Sequence, residues 1–424
     1  FLIAQALLEK PFEKDDNYKP MLEMALSRIR QLSAHEVGHT LGFAHNFAAS
    51  VNNRSSVMDY PHPLIGLKDD EVDLSNAYSE GIGDWDKVSV AYSYSEFNLK
   101  NEKLALDNIL NNSMKNGLRF ITDSDARAKG GAHVSAHLWD NENDVVNGLD
   151  EIFKVRKKAI LNFSELNIKS GEPLSTLEDV FVPLYFMHRY QTEAVVKLIG
   201  GMDYNYATRG DGQVIVKDLE LDIQNRALIS VFQSLDAKNL AIPRDKLKLF
   251  PPRAYGFPRT RESFKGVTGV SFDPLSAAST ASEMTLELLL NTERLNRLMV
   301  QNTVDNSKMS LRYVLNGLIS NSFKKTHEDT YLTEIQHIIN TNILLYLLNL
   351  SEDKNVFMQV KYESFMAIKY IKRLIARSKK LNNYYDQYSY IIDDFKKRPE
   401  LYKIQKTLTI PDGSPIGSES CSQN

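Results

Sequence analysis

Apolar positions along this chain recur mostly at intervals of three and four, the repeat of helices packed on one side. Met21, Leu22, Ala25, Leu26, Ile29 and Leu32 keep that spacing behind Pro20, which suits a first helical turn. They predict a helix over 20–41 with this stripe buried. Residues 1–10 read as a short helix or apolar segment, and 13–18 as a polar loop. Residues 47–84 are rich in turn formers, including Pro61, Pro63, Gly81 and Gly83. Asp84 then serves as N-cap for a helix to 97. Helices are expected over 101–116, 145–161, 178–198 and 222–235, with Pro183 kinking or restarting the third. Phe120-Ile121 reads as a short strand. A hairpin near 203–217 turns on Asp211-Gly212, a pair that favours tight reversals. Beyond an irregular proline-bearing stretch to 275, helical periodicity returns over 277–301, 307–322, 332–350, 356–379 and 384–397. The pattern is mainly α: a unit over 1–100, a mixed but mostly helical region over 101–275, a helical bundle over 276–410, and a mobile tail over 411–424.

Composition narrows this little. With 424 residues the chain is long enough for two or three domains. A formal net charge of −3 gives no reason to expect nucleic acid or an anionic membrane as partner. No apolar run is long enough to cross a bilayer. Phe1-Leu2-Ile3-Ala4 is too short for a signal peptide and lacks a basic flank, so the chain is expected to begin within a longer precursor. Cys421 is the single cysteine, which excludes an intrachain disulfide.

The chemistry concentrates in His35-Glu36-Val37-Gly38-His39-Thr40-Leu41-Gly42-Phe43-Ala44-His45. His35 and His39 are four apart and project from one helix face. Two neutral imidazoles so placed can share one Zn²⁺ at about 2.0–2.1 Å each. Glu36 follows the first, beside the metal. Gly42 can take the left-handed conformation that ends a helix. The chain then swings back and His45 becomes a third ligand. Three protein ligands leave a fourth position for water, as in catalytic rather than structural zinc sites. The competing reading is an amphipathic helix with three incidental histidines, and the offsets of Gly42 and His45 disfavour it.

Met58 lies thirteen residues after His45, within Ser55-Ser56-Val57-Met58-Asp59-Tyr60-Pro61. The H-E-x-x-H-x-x-G-x-x-H spacing followed by a methionine turn resembles the metzincin clan. The wording of 45–50, of 56–63 and of Gly81-Ile82-Gly83-Asp84-Trp85-Asp86-Lys87 is similar to the large bacterial Met-zincins, which are multidomain, extracytoplasmic zinc proteases. The likeness continues through 185–191 and Pro251-Pro252-Arg253, roughly the first 300 residues. It implies that His35, His39 and His45 are zinc ligands, Glu36 the general base, and Met58 part of a turn beneath the metal. Tyr60, two residues after Met58, takes the place of a tyrosine that steadies the oxyanion in astacins and serralysins. The resemblance implies the lower half of a metzincin catalytic domain. Only 34 residues precede His35, too few for the substrate-aligning sheet of that clan, which is expected in upstream domains of the same precursor.

The expectation is thus a zinc endopeptidase acting on peptide or protein substrates. Two rivals stand beside it: a binding or scaffolding module that retains the metal, and a zinc hydrolase of non-peptide amides. His133 and His137 are also four apart, with Asp140 beyond, but Gly130-Gly131 argues for a loop and against a second metal there. His188 suits a buried, hydrogen-bonded role. Arg209-Gly210-Asp211 is accounted for by turn chemistry, and the basic positions from Lys369 to Lys380 by a solvated helix face.

Overall fold

The computed structural model describes residues 1–14, 18–377, 382–404 and 410. The fold is mainly α. After α1 (Leu2–Leu7), α2 (Lys19–Thr40) carries the histidine motif at its C-terminal end. A long loop region follows, with a two-stranded antiparallel ladder of β1 (Gly66–Lys68) and β2 (Glu71–Asp73). Next come α3 (Asp84–Tyr94), α4 (Glu102–Lys115), the single turn α5 (Asp123–Ala126) and α6 (Val145–Asn162). Helices α7 (Leu177–Tyr185) and α8 (Arg189–Lys197) lead to a second antiparallel ladder, β3 (Met202–Tyr204) with β4 (Val216–Asp218). Then α9 (Leu221–Val231) and the short α10 (Ala237–Leu240) and α11 (Arg244–Leu247) precede the C-terminal helices. These are α12 (Pro274–Leu289), α13 (Thr292–Val304), α14 (Leu311–Phe323), α15 (Thr330–Glu352), α16 (Met358–Arg377) and α17 (Asn382–Phe395).

One cluster of buried apolar side chains runs from Ala6 and Ile65 through α6–α8 to Ile392 and Phe395. Helices before and after residue 275 share it. Two buried arginines tie elements together by donating to carbonyls, the first of them across residue 275. Arg294 of α13 reaches Leu288 (3.0 Å), Ile199 (3.2 Å) and Lys129 (3.3 Å), and Arg156 of α6 reaches Tyr185 (2.8 Å) and Asn239 (2.7 Å). A smaller cluster, Phe47, Tyr60, Ile121, Ala136 and Trp139 among it, underlies the histidines.

Several details differ from the sequence pattern. The buried face of α2 is Met21, Met24, Arg28, Gln31, His35 and Gly38, whereas Leu22, Leu26 and Ile29 are 39, 39 and 46% exposed. Polar contacts outweigh the apolar stripe here, because Gln31 and His35 hydrogen-bond the carbonyl of Val57. The N-cap of α3 is Gly83, not Asp84, which instead pairs with Lys87 at 2.8 Å. Phe120-Ile121 is not a strand, although the Ile121 carbonyl accepts from Phe47 N (2.8 Å). The 178–198 stretch breaks into two helices at 186–188. The 277–301 stretch breaks at Asn291, whose side chain caps α13. The hairpin has three-residue strands and a long connection, within which the Asp211 carboxylate accepts from Gln213 N (2.9 Å). Cys421, Lys379, Lys380 and the 411–424 tail lie outside the described residues.

Candidate metal centre

The end of α2 is a glycine-dependent reversal. Gly42 has φ +86°, its N–H meets the His39 carbonyl (2.9 Å), and Phe43 N meets that of Gly38 (3.1 Å). This pair of bonds satisfies helix-end carbonyls that would otherwise lack donors. It also turns the chain so that His45 faces His35 and His39. The His39 Nε2 atom lies 3.1 Å from Nε2 of both His35 and His45.

Each opposite ring nitrogen has an acceptor. His35 Nδ1 lies 2.7 Å from the Val57 carbonyl, His39 Nδ1 2.9 Å from the Phe43 carbonyl, and His45 Nδ1 2.8 Å from Asp123 Oδ2. A carbonyl only accepts, so Nδ1 of His35 and of His39 must carry the proton, and the Asp123 carboxylate imposes the same tautomer on His45. Three Nε2 lone pairs therefore converge with no proton between them, an arrangement that repels itself without a cation. Tetrahedral ligands at about 2.0–2.1 Å from one ion stand about 3.4 Å apart, close to the spacing seen. The three side chains thus fit a metal ion, and they are the one such His/Cys/Asp/Glu group among the described residues.

Electrostatics agree with ligation by neutral rings. Burial, helped by the neighbouring His39, His45 and Arg28, holds the His35 imidazole down to about 4. Burial alone would raise Asp123, but the hydrogen bonds from His45 and Arg127 hold it well below the usual carboxylate range.

The floor is built from the methionine turn. Met58 is 2% exposed, and a Cβ added at Gly38 would stand 2.2 Å from its Sδ. Glycine at 38 therefore lets the thioether lie directly against α2. Asp86 of α3 fixes the turn from the other side. Its carboxylate accepts from Ser56 Oγ (2.6 Å), Val57 N (2.8 Å) and Gly83 N (2.7 Å). Gly83 admits no side chain, because a Cβ there would fall 1.9 Å from the Ser55 carbonyl oxygen. The Tyr60 ring, 1% exposed, has its centroid 5.0 Å from that of His35 and 4.9 Å from that of His45, and packs on Trp139 at 5.1 Å. Glu36 is half-buried on α2 beside His35.

Asp123, Asp86 and Gly38 were not singled out by the sequence reading. Gly38 lies inside the motif and could have been noticed. Asp123 is 78 residues from His45 and carries no local signal. His133 and His137 do not join a second centre. They lie in a loop, with His133 Nε2 on the Tyr204 carbonyl (2.8 Å) and His137 Nε2 on that of Val134 (2.9 Å).

A helix bearing two imidazoles, a reversal that delivers a third and a methionine beneath them define a protein of the metzincin class. The sequence profile of the Met-zincin family matches residues 17–330, most of the chain, and the chain belongs to that family. The family implies a bound metal, typically zinc, and a metallopeptidase-like function. No curated protein and no solved structure matches the chain. No helix among the described residues is long and apolar enough to cross a membrane.

Proposed function

We propose that this protein is a zinc-dependent endopeptidase with His35, His39 and His45 as the zinc ligands. The observation that carries the reading is the convergence of three Nε2 lone pairs whose protons are held on the far side of each ring. Zinc held there supplies a Lewis acid that polarises the scissile carbonyl and eases the ionisation of water. Glu36 takes the proton of the attacking water and passes it to the departing amine nitrogen. Tyr60 is our candidate donor to the oxygen on which charge develops, and its ring also keeps His35 and His45 from turning. Val57, Phe43 and Asp123 hold the ligand tautomers, a task that in other metal sites is worth about 10–100-fold in affinity. Substrates are peptides or proteins, and an extracytoplasmic setting completes the proposal.

The test is elemental analysis and a proteolysis assay on the intact protein, with Glu36→Gln beside it. One zinc per chain is expected in both proteins. Cleavage should be confined to the parent, with the variant slower by about 10²-fold or more. A protein without zinc, or a variant as fast as the parent, would overturn the reading.

A further inference from the structure

The turn that supplies Asp123 ends in an arginine that touches more of the centre than its carboxylate partner does. Helix α5 is a single turn, Asp123–Ala126, closed by Arg127 N on the Asp123 carbonyl (2.9 Å). The turn is fixed from outside: Lys197 Nζ donates to the Ala126 carbonyl (2.5 Å), and the Tyr206 hydroxyl donates to Asp125 (2.5 Å). From this platform Arg127 Nε donates to Asp123 Oδ1, while Oδ2 of the same carboxylate meets His45. The rest of the guanidinium lies over two rings. Its Cζ stands 5.3 Å from the centroid of Tyr60 and 5.6 Å from that of Phe47. Nη2 is buried there with no hydrogen-bond acceptor.

A buried N–H is ordinarily met by an oxygen. Here ring faces take that place, as a delocalised, weakly hydrated guanidinium allows. The Tyr60 ring is confined from another side as well. It packs on Trp139 at 5.1 Å, and Trp139 holds a left-handed backbone, φ +61°. A bulky side chain keeps that conformation only where its surroundings impose it. The Trp139 N–H donates to the Tyr60 carbonyl (2.8 Å), so backbone and ring of Tyr60 are both engaged. A strained indole and a planar cation thus confine the phenol between them.

We propose that Arg127 is a positioning residue that couples the third histidine to Tyr60, setting ligand and phenol in one geometry. The inference rests on the peptidase reading, in which Tyr60 faces the oxygen on which charge develops. It assigns two separable tasks to one side chain. Pairing with Asp123 needs a charge, which lysine also supplies. Lying flat across Tyr60 and Phe47 needs a plane, which lysine lacks. Arg127→Lys should therefore keep the ligand side and lose the phenol side. Arg127→Gln removes the charge and should lose the ligand side.

The experiment uses the full chain. Zinc affinity, read by chelator competition, should stay within about threefold of the parent in Arg127→Lys and fall about 10-fold or more in Arg127→Gln. With Co²⁺ in place of Zn²⁺ and 3-fluorotyrosine incorporated, the ¹⁹F resonance absent from Tyr60→Phe reports the phenol beside the metal. It should shift in Arg127→Lys while the Co²⁺ absorption bands stay as in the parent. In the zinc-loaded protein Arg127→Lys should lower kcat about 10-fold or more at unchanged KM. Combined with Tyr60→Phe it should cause no further loss. Equal zinc affinities in the two variants, an unmoved resonance, a parental kcat, or a loss that adds to that of Tyr60→Phe would each overturn the proposal. A zinc-loaded parent that cleaves no peptide would instead remove the peptidase reading, and the resonance would still decide whether Arg127 places the ring.

Discussion

At the scale of single residues, the centre is an exercise in fixing protons. His45 owes its tautomer to Asp123, which in turn is held ionised by Arg127. Asp123→Asn keeps the size and removes the charge. It should lower zinc affinity about 10–100-fold, measured by competition with a chromophoric chelator, while circular dichroism stays unchanged. Tyr60→Phe removes only a hydroxyl from a ring packed on two imidazoles. If that hydroxyl steadies the oxyanion, kcat falls by about 10²-fold with zinc content intact; parental turnover would reduce Tyr60 to a wedge. The three histidines were legible because their spacing is local: one helix and one glycine turn bring them together. Asp123 and the Val57 carbonyl were not, because each arrives through chain closure that no spacing encodes.

At the scale of elements, the methionine turn hangs between two helices. Gly38 gives it room on α2, and Asp86 bonds it to the start of α3. The two glycines that border it should respond differently to an added methyl. Gly38→Ala pushes on a thioether that can re-rotate, a change costing about 1–3 kcal/mol. Gly83→Ala pushes on the Ser55 carbonyl, which is backbone and cannot step aside. The second variant should therefore lose more Tm and more bound zinc, and the reverse order would discredit this account of the turn. Legibility also divides here. The extent of α2 follows from its periodicity, yet its inward face does not. Hydrophobicity nominated Leu22, Leu26 and Ile29, but Gln31 and His35 reach for the Val57 carbonyl and rotate the helix about its axis. Pattern reading weighs side chains alone and cannot see a backbone acceptor supplied by a later loop.

At the scale of the whole molecule, buried histidines set the response to acid. Burial holds His62 and His133 down to about 4, and pushes His137 and His188 well below their ordinary value. An unfolded histidine titrates near about 6.5. Between that pH and about 4 the unfolded chain gains protons that the native state refuses, so stability is complete above this window and declines as pH falls through it. Burial raises Asp140 to about 8 and holds Asp59 well above its ordinary value, which acts in the opposite sense, but the four histidines outnumber the two aspartates. The Tm should drop between pH 7 and pH 5, in a scan taken at constant zinc and salt. A flat profile would mean that these rings protonate without unfolding. The C-terminal helices were legible as helices from their repeat, but not as part of the same interior, since periodicity marks a buried face without naming its partner. Their packing has a practical outcome. The family match stops at residue 330, where α15 begins, while Ile335, Ile339, Ile343 and Leu347 of that helix are fully buried in the shared core. A boundary drawn by kinship is here not one drawn by the exclusion of water. A gene trimmed to the recognisable family would yield a chain with an open seam along α12, and such a fragment should be recovered from inclusion bodies rather than as a working enzyme.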